Sequence, residues 1–414
     1  MQSKRLFLLV LVAVLVALGG FIVVNRNKQI VQEEPADIPE AHVDFGFDLL
    51  RLLGMQRQDR NLLFSPAGLA WSLSMTMNGA EGQTRDEIAR TLHLENYSID
   101  AINAAAKRSI AHLGSLDQQI QVSIANSIWL KQGYPLKDSF KTTMEQSYFM
   151  EGDTLDISSP QALQRINGWV NEKTQGKIPS VIDRLDDEMG MILLNALYFQ
   201  GKWKEPFRPD DTEERRFSLT DASSLMHPFM KRSDMMQYLE TKTFQSVRLP
   251  YGDNKEMQMV VLLPKTSDVH TFLGSITYSD WMRWMWLYEE ENGTLLLPRF
   301  RMEWSSEQSD LKSALNQLGM SQAFLDSANF PGLSEEPTKI GFVGQKVSME
   351  VNEEGTKAAA ASPIGFGIAT GVGINSEPPE PFSMEVNKPF FFAIITTETQ
   401  EPLFMGIVMN PAQD

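Results

Sequence analysis

Cysteine is absent from the chain, and histidine is rare, with five residues in 414. Without cysteine the protein cannot form a disulfide, bind zinc through thiolates or use a thiol nucleophile. The five histidines are scattered, and neither an HExxH metal-binding pattern nor a GxSxG nucleophile motif occurs. These absences predict a protein that is not an enzyme and that needs no metal or cofactor.

Positive charge is also scarce. The chain has 37 Lys and Arg residues against 53 Asp and Glu residues, which gives a formal net charge of −16. A nucleic-acid partner requires a basic face for its phosphates, so this balance argues against nucleic acid. It argues equally against a site for a heparin-type polyanion.

The chain has one long hydrophobic run, at its N-terminus. Leu6 to Val24 contains 19 residues without a charge and follows Lys4 and Arg5. That length spans a bilayer core, so an uncleaved membrane anchor is one interpretation. A cleaved signal peptide is the other, because Ala17-Leu18-Gly19 offers a small-residue cleavage site. Either interpretation predicts a folded part outside the cytoplasm, anchored to the membrane or secreted or periplasmic.

Linkers, low-complexity tracts and internal repeats are absent after Ala41. Residues 25–40 are polar and contain proline, which predicts a flexible tether. Residues 41–414 predict a single domain, and the 42% hydrophobic content is sufficient for a large core.

Hydrophobic spacing predicts both helices and strands. A period near 3.6 predicts a helix over His42 to Leu53. Ser65 and Pro66 predict the cap and the first residue of a second helix. Ile192 to Phe199 is apolar on both faces, as a central sheet strand requires.

The segment from Val351 to Thr370, VNEEGTKAAAASPIGFGIAT, has an ambiguous pattern. Its even positions from Thr356 to Ile368 would share one face of a strand, small at the start and hydrophobic at the end. Four alanines, several glycines and Pro363 nevertheless make a poor strand by propensity. No Lys or Arg occurs between Lys357 and Lys388, which is unusual for a solvated loop. The segment is therefore predicted to be loop or strand, depending on its surroundings.

The run EVNEEGTKAAAAS, Glu350 to Ser362, closely resembles the hinge of the reactive-centre loop in inhibitory serpins. Other segments resemble the family in the same order, among them Phe64-Ser65-Pro66, Ile166 to Ile178 and Phe390 to Ile395. The resemblance covers roughly residues 41–412. It implies an α+β serpin fold with a large, mainly antiparallel sheet, two smaller sheets, about eight to nine helices and an exposed loop at about residues 353–380. With the N-terminal run, a prokaryotic-type member with a membrane segment is expected.

The resemblance implies a suicide inhibitor of serine proteases, with cysteine proteases left open as targets. A protease would cut the loop and be trapped as an acyl-enzyme while the loop inserts into the main sheet. The implied hinge consists of Glu353, Glu354, Gly355, Thr356, Lys357, Ala358, Ala359, Ala360 and Ala361.

Counting seventeen residues from Glu353, as the family does, places the scissile bond at Ala369-Thr370. Because the loop is longer than is typical, Ile368-Ala369 and Ile374-Asn375 remain alternatives. A small residue after Ile368, without nearby Lys or Arg, favours elastase- or subtilisin-like targets over trypsin-like ones. A monomer is expected.

The family also implies residues that control sheet opening, in regions named the shutter and the breach. The matching positions are Ser65, Gly68, Asn195, Trp203, Arg299 and Gln345. The family's shutter usually combines serine, asparagine and histidine, so a network at Gly68, Asn195 and Gln345 must be built differently. Glu353 is expected to pair with Arg299. Pro363 removes one donor from the inserting strand and predicts slower insertion than alanine would give.

A non-inhibitory serpin that acts as a carrier or chaperone is the alternative, since it would have the same fold. A membrane-anchored enzyme of unknown type is the third hypothesis.

Overall fold

The structure is a computed structural model. It describes residues 38–186, 189–265, 268–306, 310–356 and 380–413. The folded unit begins at Ile38, earlier than the predicted boundary at Ala41. Ile38 is the first residue of a helix and is only 2% exposed, so residues 38–40 belong to the fold and not to a tether.

The sequence predicted an exported protein, either anchored to a membrane or released. The structure shows that this prediction of the location is wrong. No helix within the described ranges is long and apolar enough to cross a bilayer. The run from Leu6 to Val24, on which that prediction rested, lies outside the described residues.

Nine α-helices lie in the described part of the chain. They are α1 (Ile38–Gln56), α2 (Pro66–Gly79), α3 (Gly82–Thr91), α4 (Ile99–Leu113), α5 (Asp138–Tyr148), α6 (Pro160–Lys173), α7 (Val269–Gly274), α8 (Tyr278–Met285) and α9 (Asp310–Gln317). The predicted start of α2 is confirmed: Pro66 is its first residue, and the Ser65 hydroxyl accepts a hydrogen bond from the Gly68 amide at 3.0 Å.

The strands form two sheets. Their bounds are β1 (Leu62–Phe64), β2 (Ile120–Lys131), β3 (Glu151–Leu155), β4 (Met191–Lys202), β5 (Glu213–Ser218), β6 (Ser224–Glu240), β7 (Phe244–Tyr251), β8 (Met257–Pro264), β9 (Glu289–Pro298), β10 (Phe300–Ser305), β11 (Ile340–Asn352), β12 (Gly355–Thr356), β13 (Phe382–Glu385), β14 (Phe390–Thr396) and β15 (Pro402–Val408).

The larger sheet has nine strands in the order β1-β15-β14-β8-β7-β6-β9-β13, with β5 paired to β6. The family resemblance implied two smaller sheets beside the large one. In the structure these two smaller sheets are joined to each other and form the nine-stranded sheet. The reason is β6, which is 17 residues long and pairs with β5, β7 and β9 along its length. The α+β class is confirmed by the nine helices and the two sheets of the described residues.

The second sheet has six strands in the order β10-β11-β12-β4-β2-β3. Most of its pairs are antiparallel, but β11 runs parallel to β4 and β3 runs parallel to β2. Antiparallel neighbours can be joined by a short turn, whereas the parallel pair β11 and β4 is joined by the long chain between them.

Both faces of this six-stranded sheet are covered, as the apolar pattern of β4 predicted. Met191, Leu193 and Leu197 belong to the main core, on the side of α2, which lies between the two sheets. Ile192, Leu194 and Ala196 point the other way, into a smaller core beneath α6. A new strand in this sheet would thus have a core on each side.

Candidate functional site

The predicted hinge begins as a strand. Gly355 and Thr356 form β12, which pairs antiparallel with β11 on one side and with β4 on the other. The two pairs Thr356–Val351 and Thr356–Gly201 fix the register. Gly355 has φ +149, and a Cβ there would lie 2.1 Å from the carbonyl oxygen of Gly201, so only glycine fits between the two strands. The first residues of the loop thus already lie within the sheet.

Thr356 is completely buried. Its hydroxyl lies 2.7 Å from the hydroxyl of Tyr251, the last residue of β7 in the other sheet. The Tyr251 ring stacks on Trp203 with 4.4 Å between centroids and packs edge-on against Phe199. The Thr356 side chain is thus enclosed, with the Tyr251 hydroxyl as its polar partner.

Glu353 anchors the start of the hinge from a position that is 5% exposed. Its carboxylate accepts hydrogen bonds from Arg299, with Nε at 2.8 Å, and from the Thr212 hydroxyl. Burial pushes the pKa of Glu353 upward, but the bonds from Arg299 and Thr212 outweigh it and hold that pKa below its usual value. The carboxylate is therefore charged at neutral pH.

Backbone bonds fasten the same segment to the residues after β4. The Trp203 amide donates to the Glu354 carbonyl oxygen and the Phe207 amide to that of Glu353, both at 2.9 Å. The Trp203 indole Nε1 donates to the Asn352 carbonyl oxygen at 2.9 Å. These contacts hold the turn between β11 and β12 against the body.

We expect the substitution Glu353→Gln to lower the free energy of unfolding by about 1–2 kcal/mol at pH 7, since it removes a charge-assisted hydrogen bond that is partly exposed on its Arg299 side. The pKa of Glu353 is lowered in the fold, so this stabilisation is complete above the pKa of an unfolded glutamate, about 4.3. It is lost as the pH falls through the lower folded-state pKa. Chemical denaturation at pH 7 and pH 3 measures both values.

The control for this experiment is Glu303→Gln on β10. Glu303 pairs with Arg301, but both side chains are largely exposed, at 42% and 51%. Exposed pairs contribute about 0–1 kcal/mol, so this variant should lose less stability than Glu353→Gln. Equal losses in the two variants at pH 7 would mean that the buried contact does not hold the hinge.

Beyond the hinge, β11 and β4 lie directly side by side. A row of three buried amides crosses the sheet there: Gln345 on β11, Asn195 on β4 and Asn126 on β2. Gln345 Nε2 donates to Asn195 Oδ1 at 2.7 Å, and Asn195 Nδ2 donates to Asn126 Oδ1 at 2.8 Å. A strand entering between β11 and β4 must break the first of these bonds.

Ser65 ties this amide row to the start of α2. Its amide donates to Gln345 Oε1 at 2.8 Å, and its carbonyl oxygen accepts from Gln345 Nε2 at 3.0 Å. Gly68 leaves the necessary space, because a Cβ there would lie 2.4 Å from Asn195 Oδ1 and 2.7 Å from Leu197 Cδ1. The serine that the family usually has at this position would not fit beside Asn195 as it stands.

We expect Gly68→Ala to lower the free energy of unfolding by about 1–3 kcal/mol, since the added methyl group overpacks a closed site. Gly168→Ala on the exposed face of α6 is the matched control. A Cβ there meets nothing within 4 Å, and alanine should stabilise the helix by about 0.5–1 kcal/mol. Urea denaturation of both variants measures the two effects. If Gly68→Ala were as stable as wild type, the row of amides would be able to shift without a loss in the free energy of unfolding.

The described residues bring the predicted positions together in two groups. Trp203, Arg299 and Glu353 meet at the mouth of the sheet, whereas Ser65, Gly68, Asn195 and Gln345 meet beneath its middle. Several predicted residues lie outside the described ranges, namely Lys357, Ala358, Ala359, Ala360, Ala361, Ala369 and Thr370.

Sequence reasoning missed Tyr251, Thr212 and Asn126. Tyr251 contacts Thr356 across 105 positions, and Thr212 contacts Glu353 across 141. No local pattern marks either residue. Asn126 had a usable signal, because it is a polar residue that interrupts the buried half of a strand pattern.

The described residues contain no group of three or more acidic or histidine side chains that could hold a metal ion. The site instead consists of a closed seam between two parallel strands, with the first residues of a loop placed at one end of it. This arrangement is suited to admitting a further strand.

Comparison with known proteins agrees with this architecture. The sequence model of the family "Serpin (serine protease inhibitor)" matches residues 40–411. Alpha-1-antiproteinase S of Cavia porcellus is 29% identical over 397 residues, covering 95% of this chain and 95% of that protein. Corticosteroid-binding globulin of Oryctolagus cuniculus is 29% identical over 384 residues, covering 91% and 97%. The native-state crystal structure of tengpin, a thermophilic serpin, superposes with a TM-score of 0.80 at 26% identity, covering 91% and 94%.

The fold defines an α+β class built on two large sheets, and the family match identifies that class. The chain belongs to the serpin family. Its relatives include both a protein named as an antiproteinase and one named as a corticosteroid-binding globulin.

Proposed function

We propose that this serpin is an inhibitor of serine proteases that acts once and is consumed. The protease attacks the loop and forms an acyl-enzyme, and the freed part of the loop then enters the six-stranded sheet with the protease attached. The hinge carries this proposal, because β12 is already hydrogen-bonded between β11 and β4.

Extending the register of β12 supports the proposal. Continued along β4 and β11, it puts Ser362 opposite Asn195 and Gln345. Since inserting the strand separates these two amides, their 2.7 Å bond would be lost. A serine hydroxyl both donates and accepts, so Ser362 could satisfy both amides in place of that bond. The middle of the inserted strand would therefore bury no unpaired amide.

The same register supports the choice of residues on either side of Ser362. Ala358 and Ala360 would lie opposite the bulky Phe199 and Leu197, where small side chains are needed. Ile364 would lie opposite Leu193, in the main core. Insertion would thus place small side chains beside Phe199 and Leu197 at one end of the strand. At the other end it would bury the apolar side chain of Ile364.

The length of the loop supports the displacement of the protease. Residues 355–369 would form a strand of about 15 residues, which at roughly 3.3 Å each carries an attached group about 50 Å. That distance exceeds the radius of a small protease. The acyl-enzyme would leave the end of the molecule at which it formed.

The proposed scissile bond is Ala369-Thr370, with Ile368-Ala369 and Ile374-Asn375 as alternatives. Small and aliphatic residues there favour an elastase- or subtilisin-like protease. The experiment is incubation with such a protease, followed by denaturing electrophoresis and mass spectrometry of the released peptide. An SDS-stable complex supports inhibition and identifies the bond, whereas clean cleavage without a complex refutes it.

A carrier function is the second candidate. The observation that favours it is the 91% coverage of this chain by a match to a protein named as a corticosteroid-binding globulin. A carrier would be cleaved without trapping the protease, so the same incubation separates the two functions.

A further inference from the structure

A groove lies where the chain returns from the loop to the body. It has a volume of about 450 Å³ and lies among β6, β9 and β13. Glu380, the first described residue after Thr356, is on its rim. We call it the acidic groove and define it by six of its lining residues: Leu239, Leu287, Glu289, Glu291, Glu380 and Phe382.

The floor of the acidic groove is apolar and firmly built. The Phe382 ring stacks on Tyr238 with 4.0 Å between centroids and 7° between planes. It also covers Gly293, where a Cβ would lie 2.1 Å from the ring. Because glycine is needed to let the ring lie flat on β9, this floor is preformed.

Leu287 lines the groove, and the residue before it in the chain is an exposed tryptophan. Trp286, which follows α8 directly, is 83% exposed, and its neighbour Leu287 is 50% exposed. Large exposed apolar side chains are typical of a surface that binds another protein.

The rim carries unneutralised negative charge. Glu289 and Glu291 alternate along β9 and share one face, and Glu380 stands on the β13 side. Within the described ranges none of the three forms an ion pair, and the nearby Lys265 is already paired with Glu240. A partner with a basic surface would therefore be attracted and oriented here.

We propose that the acidic groove docks the target protease itself and selects proteases with a basic surface beside their active site. This inference rests on the proposed function. The proposed scissile residue Ala369 lies eleven positions before Glu380, a span of at most about 40 Å. A protease that holds the loop there lies within reach of the groove, so two contacts would form in one encounter.

The test compares two double charge reversals in the full chain. Glu289→Lys/Glu291→Lys alters the groove, whereas Asp59→Lys/Glu398→Lys makes the same change in net charge at exposed residues elsewhere. Each variant is mixed with a basic and with an acidic serine protease that both cleave after small residues. The rate of loop cleavage is measured at about 50 mM and 500 mM salt.

With the basic protease at low salt, we expect the groove variant to be cleaved roughly 10-fold more slowly than wild type and the control variant less than 3-fold more slowly. At high salt the difference should shrink to less than about 2-fold, because screening shortens the range of the charges. With the acidic protease the groove variant should not be slower. Equal effects of the two double variants would overturn the proposal, since net charge alone would then explain them.

Trp286→Ser tests the apolar part without changing charge. We expect it to slow cleavage by the basic protease about 3-fold or more at both salt concentrations, and an unchanged rate would exclude Trp286 from the docking surface. The cleavage rate also separates this proposal from the proposed function. A protein that is cleaved with the predicted groove dependence but forms no SDS-stable complex docks proteases without inhibiting them.

Discussion

Thr356→Arg is expected to leave the loop open to cleavage but to prevent trapping of the protease. Thr356 is fully buried against Tyr251, so an arginine in its place would have to bury a guanidinium. Burying an unpaired charge costs several kcal/mol, and each 1.4 kcal/mol slows a step about tenfold. Hydrolysis of the acyl-enzyme should then be faster than insertion of the loop. The number of serpin molecules consumed per trapped protease should therefore rise roughly tenfold or more.

Two conservative variants separate the causes of this effect. Thr356→Ser keeps the hydroxyl that meets Tyr251 and should still trap protease. Thr356→Val keeps the shape but leaves the Tyr251 hydroxyl without that partner, which costs about 1–3 kcal/mol and should give an intermediate result. Titration of active protease, with densitometry of the SDS-stable complex, measures all three. If Thr356→Arg trapped protease as well as wild type does, insertion of the hinge would not be the mechanism.

Cutting the loop near Ala369 with a protease that is then removed should raise the melting temperature. Insertion would bury Ile364, Phe366 and Ile368, at about 1.5–3 kcal/mol each. For a folded unit of this size, the entropy of unfolding corresponds to about 0.8 kcal/mol per degree. These side chains alone therefore predict a rise on the order of 10 °C, observable by scanning calorimetry.

The matched control for this experiment is a cut outside the loop, or the cut Thr356→Arg protein. A nick that frees no insertable strand should not raise the melting temperature. The cut Thr356→Arg protein should show a smaller rise than cut wild type, because an arginine displaced from β12 in the intact protein would have to be buried when the strand inserts. A cut wild-type protein that melts with the intact one would exclude insertion.

Local chemistry made much of the fold predictable. Ser65 and Pro66 mark the start of α2 because a cap and a first-turn proline satisfy or remove free amides. Ile192 to Phe199 was recognised as a central strand because a sheet with cores on both faces requires apolar residues at every position. The family resemblance led to Arg299 and Gln345, whose partners lie far away in the sequence.

Long-range geometry explains what was missed. The strand β6 contains Pro228 and a run of charged and polar residues, so its sequence carries no clear strand pattern. It nevertheless continues because its edges are paired by different neighbours along its length. Tyr251 ends an ordinary hairpin strand, and only the meeting of the two sheets brings it to Thr356. Such contacts depend on tertiary packing and have no local signature.

The amide row has a consequence for how the molecule responds to acidity. Gln345, Asn195 and Asn126 do not titrate, so their bonds are the same at pH 5 as at pH 8. At the mouth of the sheet, Glu353 ionises with a lowered pKa and stays charged over that whole interval. The hydrogen bonds between β11 and β4 and the contacts of Glu353 therefore stay the same in mild acid. Strong acid would protonate Glu353 and weaken its contacts at the hinge first.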